Sequence, residues 1–320
     1  MRIVRGSRSL EKPLERSVLT VGNFDGLHVG HRRIMNTVTS RARAFGGEAA
    51  VYTFEPHPRK VLQPERAPRL LTTLEQKLEL FEAAGVDVAI VEPFDLEFAR
   101  LPAERFVREI LFERIAPLEV YVGYDFRYGR DREGSMRTLT ELGPHLGFAV
   151  TIVPEVKLGS RDVNSTRIRE LLEAGHVGEA ALLLGRRYTI RGRVIAGERR
   201  GRTLGFPTLN LEADNEVLPQ AGVYACTVRF LDAGTPPAGS VHLAVTNVGR
   251  RPTFGDLARP LTEAHLLDFS ADVYGRRVEV AFVDYLRAEE RFPSVEALKA
   301  QIARDADAAR ARLAGEREPT

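Results

Sequence analysis

The chain has 320 residues, 43% of them hydrophobic, with 46 basic against 44 acidic side chains and a formal net charge of +2. That length exceeds one ordinary core and predicts two domains, while a balanced charge without long like-charged runs argues against a broad nucleic-acid footprint. One cysteine excludes an intramolecular disulfide framework, and without an apolar leader or a bilayer-length apolar stretch the expectation is a cytoplasmic protein that engages no membrane.

In chain order, apolar runs at 18–21, 49–54, 86–91, 118–123 and 148–153 alternate with amphipathic helical patterns. One of these, at 74–84, opens with the capping box Thr73-x-x-Gln76. Five such strands with helices between them predict an α/β, Rossmann-like, doubly wound parallel sheet, which binds ligands beyond the carboxyl ends of its strands.

The first strand runs into Gly22-Asn23-Phe24-Asp25-Gly26-Leu27-His28-Val29-Gly30-His31, with a helical pattern following at Ile34, Val38 and Phe45. Gly22, Gly26 and Gly30 allow a tight turn and close approach of a ligand, and the orphan N–H groups of the following helix suit phosphate. His28 and His31, three apart, can lie on one face of the first helical turn and donate to the same anion. A helix-capping role is the alternative for such a pair taken alone. Zinc is disfavoured, because the helical metal pair prefers H-x-x-x-H spacing and the sole cysteine, Cys226, is remote in sequence.

Two more polar clusters follow strands directly: Phe54-Glu55-Pro56-His57-Pro58 and Gly123-Tyr124-Asp125-Phe126-Arg127-Tyr128-Gly129. Each also fits a proline- or glycine-punctuated loop. Asn164-Ser165-Thr166-Arg167-Ile168-Arg169 then offers capping hydroxyls and arginines within reach of polyphosphate, or simply a solvated helix start.

From Tyr188 the pattern changes to period-two strands at 188–195, 223–231, 241–248, 263–269 and 277–284, predicting an antiparallel β-barrel. A last helix from Ser294 presents Val295, Leu298, Ile302, Ala309 and Leu313 to it. The domain boundary is expected at Arg186/Arg187, giving domains 1–186 and 187–320. Within the barrel half, Gly197, Gly201 and Gly205 recur among arginines in a loop suited to phosphate, without a Walker A ending. Thr208 and Asn210, two apart on an extended segment, point their oxygens to one side and can both ligand Mg²⁺; a hairpin with basic decoration is equally compatible.

Taken together, the motifs G-x-F-D-G-x-H-x-G-H, F-x-P-H-P, G-x-D-F-R-Y-G, S-T-R-I-R, G-R-T-L-G-F-P-T-x-N, Gly222-Val223-Tyr224, Asn247-Val248-Gly249-Arg250-Arg251-Pro252-Thr253, Glu263-Ala264-His265-Leu266-Leu267-Asp268-Phe269 and Val273-Tyr274-Gly275 resemble the prokaryotic bifunctional riboflavin kinase/FMN adenylyltransferases, from about residue 15 to about residue 313. The resemblance implies a nucleotidylyltransferase-type first domain that adenylylates FMN to FAD with ATP, releasing pyrophosphate. It also implies a riboflavin kinase-type barrel with a terminal helix that phosphorylates riboflavin to FMN. Carried onto this chain, His28 and His31 handle the ATP phosphates, and the ATP- and phosphate-binding set comprises Gly22, Asn23, Asp25, Gly30, Ser165, Arg169, Gly197, Gly201 and Gly205, with Asn23 and Asp25 shaping the turn. Pro56, His57, Pro58, Asp125 and Phe126 line the flavin side. Thr208 and Asn210 hold Mg²⁺ and phosphate, and Glu263 is the general base for the ribityl hydroxyl. The implied partners are riboflavin, FMN and ATP, with no nucleic acid and self-association weak if present. Two departures stand out, Leu209 where the family usually has alanine and Asn164 where it has serine; Leu209 should repack the barrel and leave metal binding intact. Other nucleotidylyltransferases, a tRNA-binding relative and a flavin carrier without turnover are the competing readings.

Overall fold

A computed structural model describes residues 1–196, 206–250 and 260–314, with the side chains of Arg250 and Pro260 excepted. The chain forms two compact units, Met1–Ser165 and Thr166–Thr320.

In the first unit, β1 (Arg2–Arg5), β2 (Val18–Val21), β3 (Ala49–Glu55), β4 (Val88–Pro93), β5 (Glu119–Gly123) and β6 (Ala149–Val153) form one sheet in the order β1-β4-β3-β2-β5-β6. Every adjacent pair is parallel. Central strands β2 and β3 bury Val18, Leu19, Val21, Ala49, Ala50, Val51 and Tyr52, the continuous apolar run expected of a strand covered on both faces. Five of the six strands match the periodicity. The sixth, β1, is a four-residue edge strand in which only Val4 is buried, so it carries no apolar signal.

Helix α1 (Val29–Phe45) buries Ile34, Met35, Val38 and Ala42, and it stops at Gly46, whose left-handed φ of 63° lets its N–H reach the last carbonyls. Helix α2 (Leu74–Ala83) starts on the foreseen capping box, Gln76 N–H donating to Thr73 Oγ1 at 3.2 Å and Thr73 N–H to Gln76 Oε1 at 3.0 Å. A π-helical segment, Phe106–Ile115, and α3 (Met136–His145) complete the layers. The chain leaves β2 toward β3 and β4 on one side and returns to β5 and β6 on the other. The loops after β2 and β5 therefore flank the topological switch point, where doubly wound sheets open a crevice.

Helix α4 (Ser165–Glu173) leads into α5 (Val177–Leu184) and then the barrel strands β7 (Tyr188–Ile195), β8 (Thr208–Ala213), β9 (Gly222–Phe230), β10 (Val241–Arg250), β11 (Pro260–Leu266) and β12 (Arg277–Arg287). They close in the order β7-β8-β11-β10-β9-β12, antiparallel throughout. The compact units divide at Ser165, ahead of the Arg186/Arg187 change in periodicity. The physical reason is α5, which lies against β12 and β7 and buries Val177, Ala180, Leu183 and Leu184.

The terminal helix α6 (Val295–Leu313) packs on β9, β10 and β12 through Ala306, Ala309 and Leu313. The expected apolar face holds at Ala309 and Leu313, whereas Val295 is exposed. Asp305, further along the helix, is buried and accepts from Arg287 Nε at 3.0 Å and Arg287 Nη2 at 2.7 Å.

Candidate active sites

The turn after β2 is built by unusual backbone. Phe24, Gly26 and Leu27 have φ of 50°, 77° and 35°, a left-handed run that reverses the chain before α1. Asp25 is buried, and its Oδ1 accepts from Leu71 N–H at 3.0 Å, Thr72 N–H at 3.2 Å and Thr72 Oγ1 at 3.2 Å. These bonds tie the turn to the lead-in of α2. The Asp25 carboxylate thus accepts from these donors, as the expected role of shaping the turn requires.

His28 is the N-cap of α1, its Nδ1 accepting from His31 N–H at 3.2 Å. The two rings stack at 3.6 Å with an interplanar angle of 18°, and His31 meets Phe24 edge-on at 5.2 Å. Gly30 makes room for this stack, since a Cβ there would come within 3.1 Å of His28 Cε1 and Nδ1. Gly22 does the same for Phe24, whose Cζ would meet a Cβ at 2.9 Å. His31 is half-buried, and its Nδ1 is sealed and without a hydrogen-bond partner, as is Asn23 Oδ1. Loss of solvation holds His31 well below the ordinary imidazole range, and the neighbouring His28 and Lys77 push it the same way.

Ser165 Oγ donates to the Asp25 carbonyl at 3.0 Å, so the start of the S-T-R-I-R helix is joined to the turn. Arg169, one helical turn further along α4, belongs to the second compact unit. His57 caps a short helix, Pro58–Leu62, by accepting from Arg59 N–H at 3.2 Å, directly after β3 and Pro56. After β5, Asp125 is exposed, whereas Phe126 stacks on Tyr128 at 5.5 Å and Tyr128 meets Phe106 at 5.6 Å with the rings tilted. Phe106 continues to Tyr52 and Phe98 at 5.9 and 6.4 Å, an aromatic series that roots the Phe126 loop in the core. Sequence reading missed that series, because its members lie on four separate segments.

In the barrel, Asn210 on β8 pairs in register with Glu263 on β11, and Glu263 pairs with Asn247 on β10. The three side chains therefore form one polar row across three strands. Asn210 is buried, and Thr208, two residues before it, shares its face. Asn247 Nδ2 donates to Glu289 Oε1 at 3.2 Å, while its buried Oδ1 has no partner. Gly249 leaves room beside it for the Glu289 carboxylate, whose Oε1 would lie 2.5 Å from a Cβ there. Asn247 was visible only as part of a motif; its pairing to Glu263 needed the register. Leu209 is buried opposite Ala264, on the face away from Thr208 and Asn210, and the small partner accommodates its extra bulk. Gly197, Gly201 and Gly205 lie outside the described residues.

Among the described residues no cluster of three His, Cys, Asp or Glu side chains could hold a metal, and no helix is long and apolar enough to cross a membrane.

Two family models match the chain, FAD synthetase over residues 10–167 and riboflavin kinase over residues 184–313. A bifunctional riboflavin kinase/FMN adenylyltransferase of Escherichia coli K12 is 39% identical over 306 residues, covering 95% of this chain and 96% of its own. One from Haemophilus influenzae is 38% identical over 311 residues, covering 97% and 99%. A crystal structure described as a macrolide-efflux protein from Streptococcus pneumoniae matches with a TM-score of 0.86 at 28% identity, covering 97% of this chain and 99% of that one. With two domain models in this order and such identity over nearly its full length, the chain belongs to the bifunctional riboflavin kinase/FMN adenylyltransferase family.

Proposed function

We propose that the first unit adenylylates FMN at the histidine turn and that the barrel phosphorylates riboflavin at the Asn210–Glu263–Asn247 row, the protein thus making FMN and then FAD. The observation that carries the reading is the stacked His28/His31 pair at the start of α1, placed at the switch point of a parallel sheet.

In the first reaction a phosphate oxygen of FMN attacks the α-phosphorus of ATP, and pyrophosphate leaves with the electrons of the broken bridging bond. Because His28 Nδ1 accepts the His31 N–H, the neutral ring carries its proton on Nε2 and offers that hydrogen to phosphate. His31, held neutral by burial, can likewise donate from one nitrogen without adding a second charge to the stack. The first N–H groups of α1 add partial positive charge where negative charge develops. Ser165 positions the turn through its bond to Asp25, and Asn23, Gly22 and Gly30 shape the space around it. Pro56, His57, Pro58, Asp125 and Phe126 form the flavin side.

In the second reaction Glu263 takes the proton of the terminal ribityl hydroxyl as that oxygen attacks the γ-phosphorus and ADP leaves. A primary alcohol is a poor nucleophile at neutral pH, so a carboxylate in reach must remove its proton. Thr208 and Asn210, hard oxygen donors on one face beside Glu263, fit Mg²⁺, which takes few protein ligands and completes its shell with phosphate and water. When bound, the ion neutralises charge on the transferring phosphate. Gly197, Gly201 and Gly205 supply the phosphate loop. The working location is the cytoplasm, which the single buried Cys226 supports, and any self-association is weak.

The test is to incubate the protein with riboflavin, ATP and Mg²⁺ and separate the flavins by chromatography. FMN should appear first and FAD after it, with pyrophosphate released in the second step. Formation of neither flavin nucleotide by a folded protein would overturn the reading.

A further inference from the structure

Lys77 lies on α2, directly after Gln76 and one turn past the N-cap Thr73, and is only 5% exposed. Its ammonium has no hydrogen bond or ion pair among the described residues, a rare state for a lysine so largely withdrawn from water. Withdrawing a cation this far from water with only the through-space pull of Glu55 and Asp25 is unfavourable, and packing does not require it, since methionine fills a similar volume.

The helix that carries Lys77 is fastened to the histidine turn. Asp25 grips Leu71 N–H and Thr72 N–H just ahead of α2, and Phe81 on α2 meets Phe24 edge-on at 5.9 Å, the same Phe24 that contacts His31. The charged and titratable groups that feel Lys77 are His31, Asp25 and Glu55, from the turn and from the end of β3. Desolvation lowers the ammonium's proton affinity, while Glu55 and Asp25 favour its charged form. Asn23 Oδ1 and His31 Nδ1, also buried without partners, belong to the same turn.

We propose that Lys77 is a catalytic residue of adenylyl transfer, its ammonium contacting the β- and γ-phosphate oxygens of ATP. This rests on the reading that the histidine turn is the adenylyl-transfer site. As the FMN oxygen bonds to the α-phosphorus and the bridging bond breaks, the electron pair passes to the pyrophosphate, and the Lys77 charge stabilises it there. A fixed cation in a water-poor site needs no reorganisation at that moment, which is where such a charge is most effective. The desolvation cost is then borne by the free protein and relieved by the bound anion.

The test compares Lys77→Met, which keeps length and removes charge, with Lys77→Arg, His28→Ala and His31→Ala. Lys77→Met should lower kcat/KM for ATP in FAD formation by about a hundred-fold, the scale of one preorganised donor. Its unfolding midpoint should be unchanged or higher, and riboflavin phosphorylation should remain within two-fold of wild type. Lys77→Arg should recover part of the lost rate. Unchanged FAD kinetics in Lys77→Met, with the histidine variants impaired, would overturn the proposal and leave the turn's role standing. Full activity in the histidine variants would remove both. Because the chain has only five lysines, Lys77 can also be followed in the wild-type protein by lysine-selective labelling and NMR. Saturating pyrophosphate with Mg²⁺ should raise its titration midpoint, and no response would count against the assignment even if Lys77→Met failed to fold.

Discussion

His28 and His31 stack ring on ring at 3.6 Å, with the Nδ1 of the first accepting the backbone N–H of the second. Two imidazolium ions cannot share that geometry cheaply, and His31 is already displaced toward its neutral form. At least one ring of the pair is therefore held toward its neutral, hydrogen-bond-donating form.

Replacing either ring by alanine should slow FAD formation by roughly a hundred-fold, the usual cost of removing one donor to a developing anion. Riboflavin phosphorylation should continue, so FMN accumulates. Flavin chromatography of each variant checks this, and FAD synthesis at the wild-type rate by the double variant would remove the assignment.

The His31 shift also fixes a sign for acid stability. Its folded proton affinity is lower than its unfolded one, so its stabilising contribution is complete above about pH 6.5 and is lost as pH falls below that value. The loss approaches at most about 1.4 kcal/mol per pH unit for one group. Unfolding midpoints measured between pH 7.5 and 5.5 should fall more steeply for wild type than for His31→Gln; parallel curves would contradict the prediction.

Asp25→Asn places an amide where the carboxylate accepts from Leu71 and Thr72. Loss of charge-assisted bonds to buried donors should cost about 1–3 kcal/mol and loosen the turn against α2. Calorimetry should show a lowered midpoint accompanied by weaker FAD synthesis.

Glu263→Gln should lower FMN production by about a hundred- to ten-thousand-fold, the range for a lost general base, while supplied FMN is still converted to FAD. A folded variant that phosphorylates riboflavin normally would assign the base to another residue.

Fragments test the boundary. The kinase fragment 187–320 keeps Thr208, Asn210 and Glu263 but lacks α5, whose Val177, Leu183 and Leu184 are buried. Each such side chain is worth about 1.5–3 kcal/mol of burial, so 166–320 should unfold at a clearly higher temperature than 187–320 while both make FMN. Equal midpoints would show that α5 contributes nothing to the barrel.

The sequence by itself determined the alternation of β2 through β6 with helices, the capping box of α2 and the antiparallel half. These depend on local periodicity and on hydrogen bonds between near neighbours. It also singled out His28, His31, Thr208 and Asn210, because their spacing is itself chemical information, and Glu263 through the family resemblance. Tertiary structure alone decided that Asp25 holds the turn to α2, that Asn247 joins Asn210 beside Glu263, and that Lys77 is buried near His31. It also decided that β1 adds a sixth strand and that α5 belongs with the barrel. Each of these follows from strand register or from packing between segments far apart in the chain, and neither leaves a period in the local sequence.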